Sequence, residues 1–383
     1  MPGIPLRPRP SRTIRLAGRL ALVGLALYAC GSERDLERGS DPANPAAGVD
    51  DPPVVLAPGA LRGRFPPDPH DVAGEAILEG AFGLTIGNGF IYVLDQMARS
   101  VVRLDLDARL VARMGGPGAG PGELTNPFSL SVGPDGDVWV GDPGASRLTR
   151  YRPDGTPVDD RRMPYPVVNF AVLESGPVFP SLNASTLLGA VDPHGGMVEF
   201  SVATELVPYR ISRGPEDRVS PLALRFARLP GGDLALLQNR HGTEFGLWRV
   251  RVSPERDSIE DVTALPLPRW LHTMLGRETD RVRESAPADF ATGDFLIPFK
   301  GMHADGGRLW LAPATSAEAL VFSVPLQWGE PVRVVVAGEE VYGGAIDAAV
   351  AGDRLVVLYS TEARVYDLES APAGRFRDPR EER

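Results

Sequence analysis

Residues 126–154 read NPFSLSVGPDGDVWVGDPGASRLTRYRPD, a stretch in which apolar and polar residues alternate between turn sequences. Apolar residues alternate from Phe128 to Val132 and again from Val138 to Val140, on either side of Pro134-Asp135-Gly136. A third alternation begins at Leu148. A period of two is typical of half-buried strands, and Pro-Asp-Gly favours a tight turn. The stretch therefore predicts three antiparallel strands joined by short turns.

The segment before this stretch repeats the same plan. A strand pattern at residues 84–86 leads into the turn Gly87-Asn88-Gly89 and the strand pattern Phe90 to Leu94, and aligning Tyr92 with Trp139 gives a period of 47 residues. The turn-and-strand pattern recurs at residues 305–311 and 352–357, and weaker copies lie at residues 168–180 and 222–237. Repeated short strands without a helical pattern predict an all-β fold of six radially arranged four-stranded sheets.

A radial array closes when its first and last sheets meet. Residues 61–78 precede the first complete copy, and residues 345–366 contain the last one. We expect residues 61–78 to supply a strand to the final sheet, since a ring closed in this way leaves no unpartnered sheet face.

A family resemblance is carried by the run from Gly115 to Leu124, GGPGAGPGEL, together with Pro127 and the Pro-Asp-Gly strand that ends at Asp142. These residues resemble the NHL-type six-bladed β-propellers of bacterial lipoproteins, strongly over residues 84–155 and at the level of pattern elsewhere. The resemblance implies a propeller, which we expect to span residues 61–377 and to be followed by a disordered tail at 378–383. It also implies a binding or interaction scaffold, because a minority of such proteins are enzymes.

The N-terminus has the features of an export signal. Five arginines and no acidic residue precede an apolar run from Leu20 to Ala29, which is too short to span a bilayer. Leu27-Tyr28-Ala29-Cys30 resembles a lipobox, and Cys30 is the only cysteine of the chain. We interpret residues 1–29 as a lipoprotein signal peptide and Cys30 as the lipidation site. The alternative is an ordinary secretory signal followed by an incidental cysteine.

Composition limits the partners of the exported chain. Residues 30–60 are rich in Pro, Asp, Ala and Gly and predict a flexible tether behind the lipidated Cys30. Without the five leader arginines, 35 basic residues face 50 acidic ones, which argues against nucleic acid. We therefore expect an extracytoplasmic protein anchored by lipid in the cell envelope. Gly31 after the cysteine favours the outer membrane.

Two groups of residues are predicted to have structural roles and not functional ones. Asp95 and Asp142 occupy equivalent positions after the second strand of a repeat, where a carboxylate accepts hydrogen bonds from amides of the next turn. The glycine-rich run Gly115 to Gly122 lacks a following Lys-Ser or helix pattern, and Pro117 and Pro121 remove two amide donors. It predicts a connection between sheets and not a phosphate-binding loop.

The channel of a radial fold is the remaining candidate site. Lys300, His303 and Asp347 lie on predicted inner strands and are candidates for binding a small polar ligand. Propeller lactonases resemble this chain in architecture, and they hold a divalent cation in the channel with oxygen ligands. By that resemblance Glu79, Asn169, Asn183 and Asp347 are possible ligands, although a polar channel lining has the same composition.

The segment 265–297 lengthens the interval between the fourth and fifth repeats. Trp270, Met274 and Leu275 predict a short surface helix or a loop that packs its own apolar residues, with a recognition lid as the alternative. The leading hypothesis is a scaffold without catalytic residues, metal or cofactor, which binds an unknown protein, peptide or glycan. The alternative is a divalent-cation-dependent hydrolase or lyase that uses the channel.

Overall fold

The computed structural model describes residues 54–56, 61–67, 77–180, 186–191, 197–201, 224–239, 245–253, 258–265, 267, 275–276, 299–305, 307–313, 319–325, 332–336 and 345–368. In this part of the chain the regular structure is almost entirely β-strand. The strands pair into separate sheets. We number the sheets along the chain, from the one that begins at residue 81 to the one that contains residues 347–367.

Sheets 1 and 2 contain the two clearest sequence repeats. The strands of sheet 1 are β3 (Ala81–Gly87), β4 (Phe90–Asp95), β5 (Ser100–Asp105) and β6 (Leu110–Gly115). Those of sheet 2 are β7 (Ser129–Val132), β8 (Val138–Asp142), β9 (Arg147–Tyr151) and β10 (Pro157–Arg162). The β3–β4 turn has Asn88 at φ 51° and Gly89 at φ 76°, the left-handed pair that a two-residue hairpin prefers.

Sheets 3 and 4 have the same order of strands. Sheet 3 consists of β11 (Ala171–Leu173), β12 (Gly176–Pro180), β13 (Thr186–Val191) and β14 (Met197–Ser201). Sheet 4 consists of β15 (Leu224–Arg228), β16 (Leu234–Asn239), β17 (Phe245–Val252) and β18 (Ile259–Leu265). All neighbouring strands in both sheets are antiparallel.

Sheets 5 and 6 each take one strand from the N-terminal side. Sheet 5 contains β19 (Phe299–Asp305), β20 (Arg308–Pro313), β21 (Ala319–Pro325), β22 (Val332–Val336) and also β1 (Val54–Leu56). Sheet 6 contains β23 (Asp347–Ala351), β24 (Arg354–Leu358), β25 (Ala363–Asp367) and β2 (Leu61–Phe65).

The first strand of each repeat lies innermost. Consecutive inner strands contact one another, and the last of them, β23, contacts the first, β3, so the sheets form a closed ring. A separate cluster of buried apolar side chains fills each gap between neighbouring sheets. Sheets that bury both faces against their neighbours around a centre make a β-propeller. This confirms the predicted all-β propeller class.

The closure follows the expectation from the sequence. Strand β2 pairs antiparallel with β25, from Leu61 opposite Tyr366 to Phe65 opposite Ala363. Phe65 is 1% exposed, and Arg62 forms an ion pair with Asp367. Residues more than 300 positions apart are thereby joined in one sheet.

The prediction of four-stranded sheets throughout is wrong in one place. Five sheets have four strands, but sheet 5 has five because β1 pairs in parallel with β22. Val54 therefore lies in a strand, within the segment predicted to be a flexible tether up to residue 60. The cause is local, since Val-Val-Leu has high β propensity and β22 offers an unpaired edge.

Several other expectations concern residues outside the described part of the chain. These are the signal peptide, Cys30, most of the tether, the tail at 378–383 and nearly all of segment 265–297. Within that last segment, Leu275 is fully buried in the cluster between sheets 4 and 5. The described residues contain no helix with the length and apolar character needed to cross a bilayer.

Candidate functional site at the centre of the ring

Asp347 is the first residue of β23, and its side chain lies where inner strands converge. Its Oδ2 accepts a hydrogen bond from the amide of Leu84 on β3, at 2.9 Å. Its Oδ1 accepts the amide hydrogen of Ala348 at 2.7 Å and lies 3.3 Å from Nε2 of His303 on β19. Asp347 is only 3% exposed. A single carboxylate therefore joins sheets 5, 6 and 1.

Two glycines make room for this carboxylate. A Cβ atom on Gly301 would lie 1.6 Å from Oδ1 of Asp347, which no side chain can tolerate. A Cβ atom on Gly83 would lie 3.9 Å from Oδ2 of Asp347 and 3.6 Å from Cδ2 of Leu130, both ordinary contacts. Glycine is thus a steric requirement at position 301 but not at position 83.

Arg225, the second residue of β15, brings a cation to the same region. Burial lowers the pKa of its guanidinium to about 10, while attraction to Asp347 opposes that shift. A pKa of about 10 still leaves the side chain charged at neutral pH. Arg225 donates from one guanidinium nitrogen to the carbonyl of Leu224 at 3.0 Å and keeps part of its surface accessible.

Apolar side chains lie on the sheet 1 and sheet 2 side of the ring. The rings of Phe82 and Phe128 pack with centroids 4.5 Å apart, and both residues are partly exposed. Leu130 on β7 is also partly exposed and approaches Gly83, whose other neighbour is Asp347. Leu130 and the Asp347 carboxylate therefore both lie close to Gly83.

The other residues nominated from the sequence are dispersed. Asn169 donates from Nδ2 to the carbonyl of Leu224 at 2.7 Å, so it ties sheet 3 to sheet 4. Glu79 is exposed in the connection before β3. Lys300 lies on inner strand β19, but its side chain is outside the described part, as is the whole of Asn183. His303 and Asp347 are the nominated pair that the structure brings into contact.

Metal binding is the alternative role for the side-chain oxygens of the residues nominated from the sequence. Both oxygens of Asp347 already accept amide hydrogens. Among the residues that the structure describes, no group of three or more His, Cys, Asp or Glu side chains is placed to hold a metal ion.

The repeated aspartates have the structural role predicted for them. Asp142 accepts hydrogen bonds from the amide of Ala145 in the next turn, at 3.1 Å, and from those of Thr125 and Asn126 in the preceding connection, at 2.7 and 3.0 Å. Asp95 accepts the amide hydrogen of Ala98 at 3.2 Å and those of residues 79 and 80 at 2.9 and 3.0 Å. Each carboxylate fastens an inter-sheet connection to its own sheet.

The glycine-rich run is the inter-sheet connection that the sequence predicts. Residue Pro117 forms a parallel bridge with Leu124, and the amide of Gly120 donates to the carboxylate of Glu123 at 2.7 Å. The amide of Leu124 donates to the carbonyl of Gly116 within the loop, and the amide of Gly122 donates to Asp160 on β10. The loop leads from β6 to β7.

The sequence does not indicate that Arg225 and Gly301 lie near Asp347. Their repeats were recognised, but the patterns do not show which strand residues approach across the ring. The one usable signal was position, since Arg225 and Asp347 both lie at the start of a first strand.

No protein-family model matches the chain, and no curated protein is significantly similar to it. Solved structures with a similar fold include a virginiamycin B lyase from Staphylococcus aureus, with 11% identity and a TM-score of 0.45 over 75% of this chain and 95% of that one. A gluconolactonase from Xanthomonas campestris has 13% identity and a TM-score of 0.44 over 84% of this chain and 95% of that one. Hydrazine synthase from Kuenenia stuttgartiensis has 10% identity and a TM-score of 0.40 over 75% of this chain and 76% of that one. At these values we carry no activity or ligand over to this chain.

Proposed function

We propose that this protein is an extracytoplasmic, lipid-anchored β-propeller that binds a ligand at the centre of its ring. The lipobox-like Leu27-Tyr28-Ala29-Cys30 supports export and anchoring. The observation that carries the binding function is the cluster of Arg225, His303 and Asp347. These residues come from three different sheets: His303 contacts the buried Asp347, and the charge of Arg225 is attracted to Asp347. Arg225 and His303 are partly exposed.

The geometry favours binding over hydrolysis by a bound cation. A cation would compete with two amide donors and His303 for the Asp347 carboxylate, and those donors are fixed by the strands. A rigid frame with prearranged side chains suits recognition, because little conformational entropy is lost when a ligand binds.

A thermal-shift panel on the purified full chain tests this function. It should contain small organic acids, amines, neutral sugars, Mg²⁺ and Ca²⁺, each added to wild type and to the variants Arg225→Gln and His303→Gln. We expect at least one organic class to raise the melting temperature of wild type and to lose that effect in one or both variants. A shift produced by the cations alone, and abolished by Asp347→Asn, would favour the cation-dependent enzyme instead.

Anchoring is tested separately by palmitate labelling of cells that express wild type or Cys30→Ala. We expect label in the wild type alone, since diacylation needs the Cys30 thiol. Equal labelling of both chains would refute the lipid anchor. Fractionation of the inner and outer membranes then tests the outer-membrane location.

A further inference from the structure

We infer that the centre of the ring recognises an uncharged ligand through a hydroxyl group, which donates a hydrogen bond to Nδ1 of His303. This inference rests on the proposed function and names the class of ligand. It depends on the contact between His303 and Asp347, which fixes the position of the hydrogen on the imidazole, and on the accessibility of the other ring nitrogen.

The Asp347 carboxylate determines which nitrogen of the imidazole carries the hydrogen. Its Oδ2 accepts the amide hydrogen of Leu84 and its Oδ1 accepts that of Ala348, so both oxygens act as acceptors. Nε2 of His303 lies 3.3 Å from Oδ1. Two acceptors cannot share a hydrogen bond, so Nε2 carries the hydrogen and donates it to Asp347. In a neutral imidazole of this form, Nδ1 keeps its lone pair and accepts a hydrogen bond.

The backbone around the pair holds it in one position. A Cβ atom on Gly301 would lie 1.6 Å from Oδ1 of Asp347 and 3.1 Å from Nε2 of His303, so the two side chains meet directly over this glycine. Asp347 is 3% exposed and is hydrogen-bonded to amides of β3 and of its own strand. The carboxylate therefore orients the imidazole before a ligand arrives, which lowers the entropy lost on binding.

The second ring nitrogen of His303 is accessible. The side chain of His303 is 16% exposed, whereas that of Asp347 is almost completely buried. The described part of the chain gives the imidazole one hydrogen-bonding partner, Asp347, and Nδ1 does not belong to the buried polar atoms that lack a partner. The imidazole thus offers an acceptor at its accessible side.

An acceptor in this setting selects a neutral donor. A cationic ligand would compete for the Asp347 carboxylate with the amides of Leu84 and Ala348, and a displaced buried amide is left without an acceptor. A carboxylate ligand has no hydrogen to donate to Nδ1. Strands β3, β19 and β23 contact one another, so the space beside His303 is narrow. A hydroxyl is the smallest neutral group that donates a strong hydrogen bond, and it therefore fits this position.

Nitrogen NMR of the imidazole tests the first step without any ligand. The full chain is labelled with ¹⁵N-histidine and measured at pH 8, and the signals of His303 are those that disappear in His303→Phe. We expect the hydrogen on Nε2 and a lone pair on Nδ1. A hydrogen on Nδ1, with or without one on Nε2, would overturn the inference. If His303→Phe does not fold, His303→Gln identifies the signals instead.

Three neutral probes, methyl glucoside, methyl galactoside and methyl mannoside, test the ligand class by isothermal titration calorimetry on the full chain. We expect at least one of them to bind and to shift the Nδ1 signal of His303. Its fully O-methylated form has no hydroxyl and should bind at least about tenfold more weakly, as should the glycoside to His303→Phe. The control variant is Glu174→Gln, an exposed residue between β11 and β12, which should leave binding unchanged.

Comparison probes separate failure of the ligand class from failure of the proposed function. Acetate is an anion, ethylamine is a cation, and acetamide is a neutral N–H donor without a hydroxyl. Binding of one of these as tight as that of the glycosides, and lost in His303→Phe, would overturn the ligand class but keep a binding site at the centre. Binding of none of the glycosides, or binding that leaves the Nδ1 signal unchanged, would also overturn it. An unresponsive thermal-shift panel would overturn the proposed function too.

Discussion

Sheets 1 and 2 differ from sheet 6 in how they are held in place. In sheets 1 and 2, Asp95 and Asp142 fasten local connections, and every partner lies within 17 positions along the chain. Sheet 6 is held by contacts between distant residues, such as Asp347 with Leu84 and Arg62 with Asp367, which are 263 and 305 positions apart. Because the hydrogen bonds of Asp95 and Asp142 are local in sequence, sheets 1 and 2 are recognisable as repeats. Closure of the ring instead brings together residues that have no equivalent in the other repeats.

Removal of β2 should have the largest effect on this arrangement. A chain beginning at Pro66 lacks Leu61–Phe65, so β25 loses its partner and the pocket of Phe65 is left open. We expect a loss of at least about 4 kcal/mol relative to a chain that begins at Leu61, measured by urea denaturation. Equal midpoints for the two chains would show that β2 does not close the ring.

Asp142→Ala tests the local fastening. Three amides, of Thr125, Asn126 and Ala145, would lose their acceptor in a region where Asp142 itself is 0% exposed. We expect a loss of about 3 kcal/mol in the free energy of unfolding. The control is Asp154→Ala, because the Asp154 carboxylate accepts one exposed amide, that of Thr156, and its removal should cost far less.

Gly301→Ala and Gly83→Ala form a matched pair on two inner strands. At position 301 the new Cβ must displace Asp347, whereas at position 83 it makes only ordinary contacts. We expect Gly301→Ala to lower the free energy of unfolding by about 2 kcal/mol and Gly83→Ala to change it by less than about 0.5 kcal/mol. Similar melting temperatures for the two variants would contradict the position of Asp347.

Asp233 gives the smallest effect, and one that depends on pH. Burial raises the pKa of its carboxyl. Hydrogen bonds from Arg251 and Arg249 and the positive charges of these arginines lower the pKa more strongly, so it lies below its ordinary value. The interaction of ionised Asp233 with the two arginines therefore stabilises the fold above about pH 3.9. This stabilisation is lost as the pH falls through the folded-state pKa of Asp233. Both arginines are more than a third exposed, so solvent and salt weaken the effect.

We accordingly expect wild type to melt about 2–4 °C above Asp233→Asn at pH 6, with the gap shrinking below pH 3.9 and in 1 M salt. Calorimetric melts at pH 3 to 6 measure it, and the exposed Glu174→Gln serves as the control. A gap that stays constant with pH would rule out the ion pair as its source.

The parts of the fold that could be predicted from the sequence are those set by local rules. Alternation and turn residues identified the hairpins, and the repeated position of Asp95 and Asp142 identified their hydrogen bonds to the next turn. The pairing of residues 61–65 with the last sheet was predicted because a closed ring requires a partner there.

Contacts across the ring could not be predicted in the same way. The approach of Asp347 to Leu84 and Gly301 depends on how all the sheets pack, and no period in the sequence relates these residues. For the same reason the sequence indicates His303 by its strand but does not indicate Arg225. The strand at Val54 was missed because a proline-rich flank dominated the composition around it.

Hydrogen exchange at the Leu84 amide tests the closed ring and its centre together. In the peptide that covers Ala81–Gly87, the account predicts one slowly exchanging amide that becomes fast in Asp347→Ala, while peptides of β8 in sheet 2 keep their protection. Identical exchange of this peptide in wild type and Asp347→Ala would contradict the account, because the Asp347 carboxylate would then not bind β3 across the seam between the first and last sheets.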